Sequence, residues 1–166
     1  MIPPFGGTPL RSAGKLSLAL VAAGAIPVAQ RPEMLPRALL SVCDFSGACP
    51  AGRGIIVEVA TAPEDVERGL GGRASLPEGH GMLLDLGGLG HRALWMRGVP
   101  FPLDAILLDE DGVVVGILGS MPPLDEARRS GPLPYAWALE VPGGWARRHK
   151  VRLGERVTTP GARLAT

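Results

Sequence analysis

The sequence predicts a mainly β fold, a single compact barrel or sandwich with two short helices. Three observations predict it. Short apolar runs rich in β-branched residues recur at close spacing from Ile55 to Val157, an Asp-Gly turn joins two of them, and only two stretches carry helix signals. Many strands and few helices define a barrel or sandwich.

Length and charge bound the rest. A chain of 166 residues has room for one domain, since roughly 100 to 150 residues bury a self-sufficient core. With 24 glycines and 17 prolines the chain is turn-rich, and its 46% hydrophobic content argues for a packed interior over low complexity. Net charge is +1, and the excess of base sits at the front, where Arg11, Lys15, Arg31 and Arg37 face only Glu33. A near-neutral body lacks the basic stripe that phosphate neutralisation needs, which argues against nucleic acid as a partner.

Residues 1–29 read as a leader. Arg11 and Lys15 precede the low-polarity run Leu16 to Ala29, and Ala23-Gly24-Ala25 has the small-x-small pattern of a cleavage site. The run is shorter than the roughly 20 apolar residues a membrane span needs, so no transmembrane helix is expected once the signal is removed. Export to the periplasm or the extracellular space follows as the expected localisation. Residues 30–53 are Pro- and Gly-rich without period and read as a flexible linker. Cys43 and Cys49 lie there, where an oxidising compartment could join them; the spacing alone leaves disulfide and free thiols both open.

The domain is expected over residues 54–158. Ile55 to Val59 reads as a half-buried strand. Thr61 and Glu64 have capping-box spacing around Pro63, predicting a helix of about two turns that Gly71-Gly72 ends. Gly81 to Leu86 is an apolar strand closed by the Gly87 to Gly90 turn, and Arg92 to Arg97 alternates as a further strand. Leu103 to Leu108 and Val113 to Leu118 flank Asp109-Glu110-Asp111-Gly112, predicting a hairpin at the centre of the core. Pro122 to Pro134 is a loop long enough to be functional or mobile. Tyr135 to Val141 returns to strand, Pro142-Gly143-Gly144-Trp145 opens a short helix that Arg147, Arg148 and His149 close, and Lys150 to Val157 is a last strand or turn-and-strand. Residues 159–166 read as a disordered tail.

Separated motifs then carry a resemblance. They are Gly69-Leu70-Gly71-Gly72-Arg73, Leu76 to Leu83, Leu94-Trp95-Met96-Arg97, Pro102-Leu103-Asp104 and Glu140-Val141-Pro142-Gly143-Gly144-Trp145. In this order and spacing they resemble the domain of unknown function 192 family (DUF192), from about Ile55 to Val157. The resemblance implies a mostly β domain of jelly-roll-like topology, commonly behind a bacterial export signal, and no established activity. The chain departs from the family pattern at Gly71, where methionine is usual. It departs again at Arg97, Gly98 and Val99, where Lys-Asn-Thr is usual, so an amide and a hydroxyl beside Trp95 are lost.

Four residues stand out as ligand-binding candidates: Arg73, Trp95, Met96 and Asp104. Arg73 and Asp104 could meet as a buried ion pair or grip a polar ligand; the structural alternative is a salt bridge that fixes strand packing. Trp95 and Met96 could form an apolar ligand wall, or simply core. His80, His91 and His149 lack metal-ligand spacing, Ser75, Ser120 and Ser130 lack a nucleophile elbow, and Gly87 to Gly90 lacks the lysine of a phosphate loop. No metal, no cofactor and no assignable catalytic residue are therefore expected. Two function classes remain. The first is a non-catalytic envelope module that binds a small molecule, glycan or partner protein near Trp95, Arg73 and the Pro122 to Pro134 loop. The second is a small hydrolase-like enzyme using Asp104 or Glu140 as general base with Arg73 stabilising an anion.

Overall fold

A computed structural model describes residues 34–158. The leader at 1–29 and the tail at 159–166 lie outside the described residues. Seven strands and two short helices follow in order: β1 (Arg37–Cys43), β2 (Gly54–Ala60), α1 (Pro63–Arg68), β3 (His80–Gly90), β4 (Leu103–Leu108), β5 (Val114–Met121), β6 (Tyr135–Pro142), α2 (Trp145–Arg148) and β7 (Arg156–Thr158). They form one sheet in the order β5-β4-β6-β3-β2-β1-β7. All neighbours are antiparallel except β2 and β3, which run parallel because α1 carries the chain back between them.

The sheet curls until its two ends meet. Val113 bridges Arg156, Val114 N–H donates to the Glu155 carbonyl at 2.8 Å, and Val157 N–H donates to the Gly112 carbonyl at 2.9 Å. Alternation along each strand then separates two apolar sets. Leu40, Ile55, Leu83, Ile106, Val114, Leu139 and Val157 come from all seven strands and fill the inside of the curl, with Trp145 of α2 against them. Met82, Leu84, Ala105, Leu107 and Ala138 point the other way, where Leu70, Leu94, Met96 and Val99 cover them. Both faces of the central strands are thus buried, which is why β4 is enclosed at all six positions.

The mainly β barrel expectation holds, and several details differ from the sequence reading. Residues 30–53 are not simply a linker, because β1 lies within them; Leu40 and Val42 are fully buried, and flanking prolines hide this short alternation. The Thr61 capping box does not form. Ala62 is the N-cap with no side-chain bond, and α1 ends earlier than expected, at Gly69, whose φ of 50° closes the helix. The expected turn at Gly87 is part of β3, which passes through an irregularity between Asp85 and Gly90. The hairpin forms on Asp109, whose carboxylate accepts from Asp111 and Val113 N–H at 3.0 and 2.8 Å, but its second strand is the sheet edge and not the core centre. Of the two readings of Lys150 to Val157, turn-and-strand holds, with a turn at Leu153-Gly154 ahead of β7.

Arg92 to Arg97 is not a sheet strand. Leu94 exchanges both backbone bonds with Arg129 at 2.8 and 2.9 Å, Met96 N–H donates to the Asp125 carbonyl, and Leu124 N–H donates to the Val99 carbonyl. The segment 91–102 therefore pairs with the long loop 122–134 and lies as a cover across the outer face of β3, β6 and β4. Alternation marks Arg92 to Arg97 as extended, and its partner is the loop and not a strand of the sheet.

Candidate functional site

Between this cover, α1 and β3 lies a cavity of about 440 Å3. Its walls are mostly apolar, with Val66 and Leu70 from α1 and its exit, Leu84 and Leu86 from β3, and Leu94 and Val99 from the cover. Trp95 also lines it, half-buried, with the guanidinium groups of Arg97 and Arg128 over its ring at 5.3 and 5.0 Å from the centroid. Those cations bring the cover and the 122–134 loop to the same aromatic ring.

One charged side chain forms the floor. Glu140 of β6 shares the outward face with Met82 and Ala138, is 6% exposed, and its Oε2 has no hydrogen-bond partner among the described residues. Burial pushes its pKa up to about 7, against the opposing field of Arg73. Gly69 faces this carboxyl: a Cβ there would stand 3.4 Å from Oε2 and 3.8 Å from Oε1. A glycine at the end of α1 thus leaves the acid uncovered.

Arg73 does not meet Asp104. It clamps Glu58 of β2 with two bonds of 2.9 and 2.6 Å, which lowers the Glu58 pKa and raises that of Arg73. Glu58, Met82 and Glu140 lie in one row across β2, β3 and β6, so Arg73 sits beside the pocket floor without bonding it. Asp104 faces inward with the Ile106 set. Its carboxylate accepts from Ser120, Gly144 and Ala146 N–H at 2.7, 2.8 and 2.9 Å, tying β5 and the start of α2 to β4. The pleat of β4 turns Asp104 to the inside of the curl, whereas Arg73 is held on the outer side by Glu58, so the two do not meet. Met96 is fully enclosed in the outer core and does not line the cavity. Of the four candidates, then, Trp95 lines the pocket, Arg73 flanks it, and Met96 and Asp104 are engaged elsewhere.

The family-pattern departures have local causes. A side chain at Gly71 would bring Cβ to 2.8 Å from the Arg68 carbonyl oxygen, so the chain has no room for methionine there. Gly98 has φ of 72°, a left-handed conformation that asparagine also tolerates, so the backbone turn survives while the amide is lost. Val99 puts a methyl group into the pocket wall where a hydroxyl is usual.

Residues that the sequence does not bring together are Val66, Leu70, Leu84 and Leu94, because three separate segments, α1 with its exit, β3 and the cover, supply them. Glu140 was legible as a charge inside the apolar run Tyr135 to Val141. Among the described residues, no three His, Cys, Asp or Glu side chains converge as a metal site, and no helix is long and apolar enough to cross a membrane. Cys43 and Cys49 are joined as a disulfide.

The fold and pocket define a class: a single-sheet half-barrel with a lateral, acid-floored apolar pocket under a loop cover. The DUF192 family profile, described as an uncharacterised ACR, matches residues 48–159, and the chain belongs to that family. No curated protein matches the chain. Several solved structures resemble it, among them the following two. A Sinorhizobium meliloti 1021 protein described as a candidate transcription regulator is 29% identical with a TM-score of 0.71, covering 77% of this chain and 97% of that one. A protein of unknown function from Novosphingobium aromaticivorans DSM 12444 is 26% identical with a TM-score of 0.68, covering 77% of this chain and 89% of that one.

Proposed function

We propose that this DUF192 domain is an exported, non-catalytic module that binds a small molecule in its lateral pocket. The observation that carries this reading is the cavity of about 440 Å3 with apolar walls and one unpartnered buried carboxyl. Small-ligand sites are concave, largely apolar, roughly 300 to 1,000 Å3, and carry few convergent polar groups. A glycan fits less well, because its ring would need a free aromatic face and Trp95 already lies under two guanidinium groups.

Export is supported by the leader pattern of residues 1–29 and by the Cys43–Cys49 disulfide, a bond that persists in oxidising compartments. The regulator description of the Sinorhizobium relative is not carried over. Reading DNA calls for a basic face on an element that enters a groove, and the two helices here have six and four residues.

A second reading, general acid–base catalysis, is favoured by one observation, the Glu140 pKa near 7. Asp104 does not share in it, since three backbone donors hold its carboxylate. Thr61 supplies the hydroxyl among the side chains that line the pocket, and no hydrogen bond joins it to Glu140.

The test is a thermal-shift screen of small apolar compounds on the wild type and on Ala93→Trp, which fills the pocket from the cover. Ligands that stabilise the wild type and not the filled variant bear out the pocket; equal stabilisation of both places binding elsewhere. N-terminal sequencing of the envelope fraction should recover a mature start near Ile26 or Gln30, and Met1 in a cytosolic fraction would end the export reading.

A further inference from the structure

We propose that Glu140 makes the pocket selective for organic cations, ligands with an apolar body and a primary ammonium head that seats on the buried carboxyl. The inference rests on the pocket being a ligand site. It adds the chemistry of the ligand and the residue that chooses it.

Among the described residues, the buried side-chain polar atoms without a partner are Arg53 Nε and Glu140 Oε2, and of these residues Glu140 alone lines a cavity. A buried carboxyl is costly unless a donor or cation meets it, so an orphan of this kind aimed into a cavity points to a partner supplied from outside.

Among the described residues, the cations that line or flank the pocket are engaged elsewhere. Arg73 spends both terminal guanidinium nitrogens on Glu58, Arg97 pairs with Glu67 at 3.0 Å, Arg68 pairs with Asp65, and Arg92 donates to the Leu86 carbonyl. Gly69 leaves the carboxyl open on the side where any other residue would place a Cβ at 3.4 Å. Its φ of 50° with ψ of −129° is glycine's own territory, so both the helix end and the open approach depend on one residue.

A hydroxyl or amide ligand would meet one hydrogen bond of this acid. An ammonium brings three donors and a compensating charge, so it offsets the burial penalty of the ionised form as no neutral head can. Trp95 does not compete for the cation, because its ring carries Arg97 and Arg128. The anchor is the acid at the floor; the body lies along Val66, Leu84, Leu94 and Val99.

Protonation then sets affinity. Arg73, paired with Glu58 beside β2, is the charge whose field reaches Glu140, and the other charged groups that line its cavity are Glu67 and Arg68 on α1, Asp85 on β3, and Arg92 and Arg97 on the cover. With the carboxyl near pH 7, about one molecule in ten is ionised at pH 6 and about nine in ten at pH 8. Ammonium affinity should rise about tenfold over that range, following the binding-competent fraction.

Calorimetry with three probes of matched body tests this: 2-phenylethylammonium, 2-phenylethanol and 3-phenylpropanoate, on the wild type and on Glu140→Gln. The expected result is that the ammonium binds tightest, gains about tenfold from pH 6 to pH 8, and loses at least tenfold in Glu140→Gln, while the alcohol binds both proteins alike. Equal or tighter binding of alcohol or carboxylate by the wild type, or no loss of ammonium binding in a folded Glu140→Gln, overturns the cation inference and leaves the pocket reading standing. If none of the three binds the wild type, both fall. Near-UV circular dichroism of Glu140→Gln confirms that the comparison is between folded proteins.

Discussion

Asp104 and Glu140 have the same appearance in the sequence, one acid in an apolar strand, and the structure gives them opposite tasks. Asp104 meets three backbone donors, so Asp104→Ala leaves those N–H groups without their acceptor. At about 1 to 3 kcal/mol for each buried group left unpaired, the expected loss is about 3 kcal/mol or more in urea unfolding, and Asp104→Asn should lose less. Glu140 meets no donor, and its folded pKa near 7 lies above the ordinary value of 4.5. The folded protein therefore binds more protons than the unfolded chain between these values. This contribution to stability is fully present below about pH 4.5 and is lost as pH rises through about 7, a fall of up to about 3 kcal/mol. Glu58, Asp125 and Glu155, whose pKa values are lowered, act in the opposite sense at pH below the ordinary carboxyl range. Unfolding measured at pH 5 and pH 8 should show the fall in the wild type and a much smaller one in Glu140→Gln, which gains stability at pH 8. Sequence alone could mark both acids as unusual; which one has partners depends on which face of the sheet its strand parity selects.

At the scale of elements, the disulfide pins the end of β1 to the turn that follows, where the Asp44 carboxylate already accepts from Ser46 and Ala48 N–H at 2.9 and 3.1 Å. Closing so short a loop removes about 2 kcal/mol of unfolded-chain entropy. The Cys43→Ser, Cys49→Ser double variant should therefore unfold at lower denaturant by about that amount, and adding a reductant should weaken the wild type by the same increment and the double variant not at all. A second tie, the buried pair of Arg53 with Glu155, links the approach to β2 with the turn before β7. Strand positions from Ile55 to Val141 were legible because alternation and turn chemistry are local. Arg92 to Arg97 is legible as extended, yet its pairing with loop 122–134 is not, since nothing in Leu94 or Met96 names Arg129 or Asp125 as the partner.

Across the whole molecule, β1 decides whether the curl closes. It lies between β2 and β7, supplies Leu40 and Val42 to the interior, and is the named strand that β7 pairs along. A chain starting at Met34 should fold with sharp near-UV dichroism and a cooperative transition. One starting at Gly54, where the domain begins on the sequence reading, should lose cooperativity and bind hydrophobic dyes through its opened interior. Cooperative unfolding of the shorter chain would mean that β1 is an accessory strand.

What the sequence determined by itself is the mainly β class, the family, most strand positions and the conspicuous residues, because alternation, turn residues and motif spacing are properties of neighbouring positions. The tertiary structure alone decided the parallel step through α1, the closure at Val113 and Arg156, the separation of Arg73 from Asp104, and the meeting of Glu140 with a pocket drawn from four segments. Those outcomes depend on which side of the sheet each residue faces and on how the sheet curls, and both are settled only when distant strands pair.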